Sequence, residues 1–158
     1  MNVEVILRNK GRSVTTVAPD ARIATAVALL RRHAVGALVV SRDGASVDGI
    51  ISERDIVTAL ADHGAATLDL AVADLMSRHV ITCRRDDSVA DLAALMTDKR
   101  IRHLPVVDRG KVIGIISIRD LTKWAAEELS TGHELPDIAR SQKALRAASE
   151  LQKQRQLS

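Results

Sequence analysis

The heptad Gly-Ile-Ile-Ser-Glu-Arg-Asp at residues 49–55 returns 65 positions later, at 114–120, as Gly-Ile-Ile-Ser-Ile-Arg-Asp, with six of seven residues identical. The repetition extends well beyond the heptad. At an offset of 66, Thr16 meets Thr82, Asp20 meets Asp86, Ala24 meets Ala90, Ala28 meets Ala94, Leu29 meets Leu95 and Val40 meets Val106. The second loop is one residue shorter, which brings the offset to 65 at the heptad. A chain of this kind folds as two copies of one supersecondary unit. Either copy alone is too small to bury much apolar surface, so packing of the two into a shared core with approximate two-fold symmetry is expected.

Each copy reads in the same order. An extended piece (14–19, 80–85) precedes an amphipathic helix (21–33, 88–100). Apolar residues at Ile23, Ala26, Val27 and Leu30, and at Val89, Leu92, Ala93 and Met96, form the stripe of a helix packed on one face. Asp20 and Asp86 stand just before these helices, suited to the cap or first turn. Two strands follow, 37–41 with 47–52 and 103–108 with 111–117, around turns holding Asp43-Gly44 and Arg109-Gly110. A second helix starts after Ser52 and Ser117. Residues 2–8 and Val72–Met76 predict short lead-in helices. The fold class is therefore α+β, a β-α-β-β-α unit made twice. The expected divisions are a first repeat with its lead-in helix at 1–64, a linker and second repeat at 65–130, and a basic helical tail at 131–158.

Composition narrows the partners. Trp124 is the only aromatic residue, so the core is aliphatic and a planar ligand would lie between aliphatic side chains and backbone. The net charge of +3 falls entirely within 137–158, leaving the rest balanced, which fits a solvated basic helix better than a nucleic-acid surface. No stacking platform serves single strands. The lone Cys83 excludes an intrachain disulfide. No apolar run approaches a membrane span, and the first residues lack a signal peptide's apolar stretch, so the expected compartment is the cytoplasm. There is no phosphate-binding glycine loop and no nucleophile with a base and an orienting group, so no catalysis is expected.

The heptad has two readings. In the first, Ser52 and Ser117 end a strand and cap a helix, with Asp55 and Asp120 closing a capping box from the third helical position. Gly49 and Gly114 then relieve crowding. In the second, the same helix start attracts an anion, the Asp accepts both hydroxyls of a ribose, and Arg54 or Arg119 pairs with phosphate.

The two copies resemble a tandem pair of CBS domains, a Bateman module, over residues 3 to about 128. The residues that carry the resemblance are 35–56 and 100–121, with the lead-ins 14–30 and 80–96. The whole chain is similar to small stand-alone bacterial members. The resemblance implies a disc-shaped homodimer and clefts between the repeats that hold AMP, ADP, ATP, NAD or S-adenosylmethionine as a regulatory ligand, with no obligatory cofactor. It implies that Asp55 and Asp120 hold the ribose and that Ser52 and Ser117 lie near ribose or phosphate. It places Thr16, Val17, Thr82 and Cys83 along the adenine pocket, with Arg102 and His103 reaching phosphate and Pro105 beside them. Gly36 and Ala37 stand in the first copy where Arg102 and His103 stand in the second, so the two sites are expected to be unequal.

Three functions follow: a sensor of an adenosyl ligand that signals to a separate effector protein, a non-catalytic scaffold whose clefts are vestigial, or, with least support, a hydrolase acting on nucleotides. Cys83 reads as a small buried hydrophobe. Trp124 reads as a core or dimer-interface anchor. The histidines show no metal-ligand spacing.

Overall fold

A computed structural model describes residues 1–131. The helix expected in the basic tail lies outside the described residues. The elements are α1 (Val3–Lys10), β1 (Thr16–Val17), α2 (Ile23–His33), β2 (Ala37–Val40), β3 (Gly49–Ser52), α3 (Glu53–His63), a 3-10 segment (Gly64–Asp69), α4 (Val72–Leu75), α5 (Val89–Lys99), β4 (His103–Asp108), β5 (Lys111–Ser117) and α6 (Ile118–Ser130). The architecture is α+β, and the first copy is β-α-β-β-α as expected. In the second copy the opening strand shrinks to a parallel bridge between Cys83 and Val106. Cys83 N–H donates to the Pro105 carbonyl, and Val107 N–H donates to the Cys83 carbonyl.

The chain packs as two compact units. One comprises Ser13–Val80 with the hairpin tip Asp108–Ile113; the other comprises Met1–Arg12, Ile81–Val107 and the chain from Gly114. Division in space thus departs from division along the sequence. Helix α1, expected to open the first repeat, belongs to the unit of the second. There Val3 N–H donates to the Asp87 carbonyl, Glu4 N–H to that of Arg85, and Val89 N–H to that of Met1. Helix α4 does the reciprocal service in the first-repeat unit, where Val72 N–H reaches the Ala21 carbonyl and Ile23 N–H reaches that of Leu70. Val3 and Val72, the first residues of these lead-ins, are both fully buried.

In the first-repeat unit β1 pairs parallel to β2, and β2 pairs antiparallel to β3 from Ala37↔Ser52 to Val40↔Gly49. The core gathers Val17, Ile23, Ala26, Leu30, Leu38, Val40, Ile51, Ile56 and Val72. Val27, expected on the buried stripe, is instead 39% exposed. The ladder ends at Gly49, so 41–48 form a loop where a longer strand was expected. Asp43 organises it, its Oδ1 accepting from the N–H groups of Ala45 and Ser46 and the hydroxyls of Ser41 and Ser46. In the second-repeat unit Leu7, Cys83, Val89, Leu92, Leu95, Met96, Leu104, Val106, Ile116 and Leu121 are buried.

Asp20 and Asp86 do not cap their helices. The N-caps are Arg22, with no side-chain bond, and Ser88, whose hydroxyl accepts from Asp91 N–H. Cys83 is 1% exposed, a buried small side chain. The Trp124 indole N–H is buried and meets no acceptor among the described residues. No helix among the described residues is long and apolar enough to cross a membrane.

Candidate functional site

Each copy of the heptad leads from a strand directly into a helix. Ser52 is the N-cap of α3 and Ser117 of α6, both with extended backbone. Both form a full capping box. Asp55 Oδ2 accepts from Ser52 N–H at 2.8 Å and from the Ser52 hydroxyl at 3.0 Å; Asp120 Oδ2 accepts from Ser117 at 2.8 and 3.1 Å. The return bonds from the Asp N–H groups to the Ser hydroxyls are longer, 3.4 and 3.3 Å. The structural reading of the heptad is therefore realised in both copies.

The glycines fit the same geometry. A Cβ on Gly49 would lie 2.8 Å from Met76 Sδ and 2.9 Å from the Ser77 carbonyl; one on Gly114 would lie 2.6 Å from Leu7 Cδ2. What crowds each strand is thus the lead-in segment of its own packing unit, Leu7 within α1 in one and Met76 and Ser77, just past α4, in the other.

Capping also uses helix-terminal donors that an anion would need. Glu53 N–H donates to the Gly36 carbonyl and Ile118 N–H to the Arg102 carbonyl. With the Asp N–H groups turned to the Ser hydroxyls, the first and third N–H groups of each helix are engaged. What the capping leaves over is carboxylate. Asp55 and Asp120 are half-buried, and among the described residues neither Oδ1 accepts a hydrogen bond.

The strand register brings some of the remaining candidates to each cap and holds others away from it. In the first-repeat unit Ala37 pairs with Ser52, which brings Gly36, Ala37, Ser52 and Asp55 to one strand end; Thr16 and Val17 pair with Val39 and Val40, toward the other end of β2. Val17 and Ala37 are buried; Arg54 is exposed, free to turn toward an anion. In the second-repeat unit Thr82, Cys83, His103 and Pro105 lie along the β4 bridge, with Arg102 and Arg119 exposed near the α6 start. Thr82 and His103 already have partners within the protein.

One contact at the site was not legible in the sequence. Lys10, at the end of α1, donates from Nζ to Asp120 Oδ2 at 2.7 Å and to the Ile115 carbonyl at 2.9 Å. Lys10 and Asp120 are 110 residues apart, and no motif links them. Asp55 has no cationic partner among the described residues.

The CBS domain family model matches twice, at residues 10–62 and 72–127. A solved CBS-domain containing protein of Agrobacterium tumefaciens is 43% identical, with a TM-score of 0.74, covering 77% of this chain and 91% of its own. A CBS domain protein of Pyrobaculum aerophilum, complexed with AMP, is 29% identical, with a TM-score of 0.71, covering 83% and 99%. A CBS domain pair complexed with 5′-methylthioadenosine and S-adenosyl-L-methionine is 28% identical, with a TM-score of 0.72, covering 81% and 98%. Some curated relatives are longer: the chain spans 57% of one from Methanopyrus kandleri, to which it is 36% identical over 111 residues.

Proposed function

The chain belongs to the CBS-domain family as a tandem pair, and on that premise we propose that it is a cytoplasmic, non-catalytic sensor of an adenosyl ligand. The ligand class is AMP, ADP or ATP, or the related NAD and S-adenosylmethionine, and the output goes to a separate effector protein. Two solved neighbours that hold adenosyl ligands support the class. The observation that carries the reading to this chain is Asp55. Its Oδ2 holds the cap while Oδ1 accepts nothing among the described residues, so a cis-diol is taken up without dismantling α3. At the same strand end are Gly36 and Ala37, small enough to admit adenine, and the exposed Arg54, which suits phosphate. A ligand held this way acts on the effector only through its differential affinity for two states of the pair.

Val57, 64% exposed, and Leu60, 39% exposed, stand on α3 and support the homodimer as the signalling form.

Calorimetric titration with AMP, ADP, ATP, NADH and S-adenosylmethionine tests the reading, with Asp55→Asn as the control that keeps the size of the cap. Saturable binding by at least one of them, weakened about tenfold or more in Asp55→Asn, is expected for loss of a charge-assisted hydrogen bond. No saturable binding by any of the five leaves the scaffold reading in its place.

A further inference from the structure

We propose that Lys10 acts as an internal plug on the second copy of the heptad, so that the chain offers one open diol-binding carboxylate, Asp55, and one closed one, Asp120. The inference rests on the functional reading above. It goes beyond that reading by naming which copy is open and what closes the other.

Asp120 Oδ2 receives three donors: Ser117 N–H at 2.8 Å, the Ser117 hydroxyl at 3.1 Å and Lys10 Nζ at 2.7 Å. Asp55 Oδ2 receives only the first two of these kinds. Among the described residues Oδ1 is free in both copies, so the copies differ in charge: the ammonium 2.7 Å from Asp120 neutralises the carboxylate that a diol would meet, while Asp55 has no such cation beside it. The ammonium is fixed at a second point by the Ile115 carbonyl, one residue past Gly114. It therefore stands over the strand end, and is not a freely swinging surface charge.

The inequality has a cause in the lead-in helices. Leu7 packs on Gly114 as Met76 packs on Gly49, which makes α1 and α4 counterparts. Three residues past Leu7 comes Lys10; three past Met76 comes His79. Helix α1 continues through Lys10, whereas α4 stops at Leu75 and Met76 leaves the helix with extended backbone. Only α1 is long enough to carry a cation back over the cap it packs beside.

Lys10 and Asp120 retain 34% and 21% of their side-chain exposure, so a ligand competes with a partly solvated pair, not a sealed one. Opening it alters affinity at Asp120 by roughly three- to tenfold, in line with pairs of this exposure.

AMP titration in the Asp55→Asn background isolates the second copy. There Lys10→Met is expected to tighten binding about three- to tenfold, and Lys10→Arg, which keeps the pair, to leave it unchanged. With Asp55 intact and Asp120→Asn present, Lys10→Met is expected to change nothing. Unchanged or weaker binding on Lys10→Met in the Asp55→Asn background overturns the plug, weaker binding marking Lys10 as a ligand contact instead. Wild-type binding without that gain overturns the inference alone. Absence of binding in the wild type and in every variant overturns the functional reading with it. A ligand-free reading comes from the carboxyl carbon resonances. Lys10→Met is expected to shift that of Asp120 and not that of Asp55, and an unmoved Asp120 overturns the plug whatever AMP does.

Discussion

Gly49 and Gly114 are the same residue in the same motif, yet the structure gives them different tolerances. A methyl on Gly114 meets only side-chain atoms of Leu7, Cδ2 nearest, and no backbone atom. A methyl on Gly49 meets Met76 Sδ and also the Ser77 carbonyl. That carbonyl is fixed, because Ser77 exchanges hydrogen bonds of 3.0 and 2.9 Å with Ile50 in both directions. Gly49→Ala is therefore expected to destabilise by about 1–3 kcal/mol in urea unfolding, and Gly114→Ala by distinctly less. Equal losses would show that the backbone contact at Gly49 is not the limiting one. Asp43 makes a second residue-scale case. Hydrogen bonds from Ser46 and Ala45 N–H, and from the Ser46 and Ser41 hydroxyls, hold its carboxyl well below the usual carboxylate range. A depressed folded value stabilises the loop above the unfolded value, near pH 3.9, and that contribution is lost only as pH falls toward the lower folded value. In a carboxyl titration followed by NMR, Asp43 is expected to remain ionised well below the unfolded value. Protonation of Asp43 at the unfolded value itself would contradict the four-bond geometry.

At the scale of the element, α3 and α6 begin with boxes whose two halves are unequal. The Asp55 carboxylate takes Ser52 N–H at 2.8 Å, while the Ser52 hydroxyl takes Asp55 N–H at 3.4 Å. The Asp is then the stronger half, because bond strength falls steeply at the longer distance. Asp55→Ala, which strands a half-buried N–H, is expected to lower stability by roughly 1–3 kcal/mol. Ser52→Ala is expected to lower it by about 1 kcal/mol or less, and the reverse order in denaturant titration would refute this ranking. The box was legible in the sequence because it is local: a Ser, a spacing of three and an Asp after an apolar strand. So was the stripe of α2, apart from Val27. The Asp20 and Asp86 caps were misplaced because an Asp near a helix start also suits the preceding turn, as Asp87 shows by accepting from Arg84 N–H. What escaped the sequence is non-local. Nothing in the string says that Leu7 or Met76 crowds a glycine, or that Lys10 ends on Asp120.

At the scale of the whole chain, duplication suggested that each copy carries its own lead-in helix. The packing exchanges them. Helix α1, first in sequence, supplies Val3 and Leu7, each wholly buried, to the second-repeat unit; α4, which follows the first repeat, supplies Val72 to the first-repeat unit. The repeat pattern alone could not show this, since both assignments bury the same apolar residues and differ only in which hydrogen bonds form. Those bonds are specific: Val3 and Glu4 N–H go to Asp87 and Arg85, not to the first repeat. The consequence is that damage at the start of the chain is felt far along it. Leu7→Ala removes a fully buried side chain beside Gly114 and is expected to cost about 2–5 kcal/mol. Hydrogen exchange should report that loss in α5 and β5 before it appears in α2 and α3, the nearest elements in sequence. Faster exchange confined to α2 and α3 would return α1 to the first repeat. It would also remove the footing on which Lys10 reaches Asp120, because a helix that packs elsewhere cannot hold its last residue over the α6 cap.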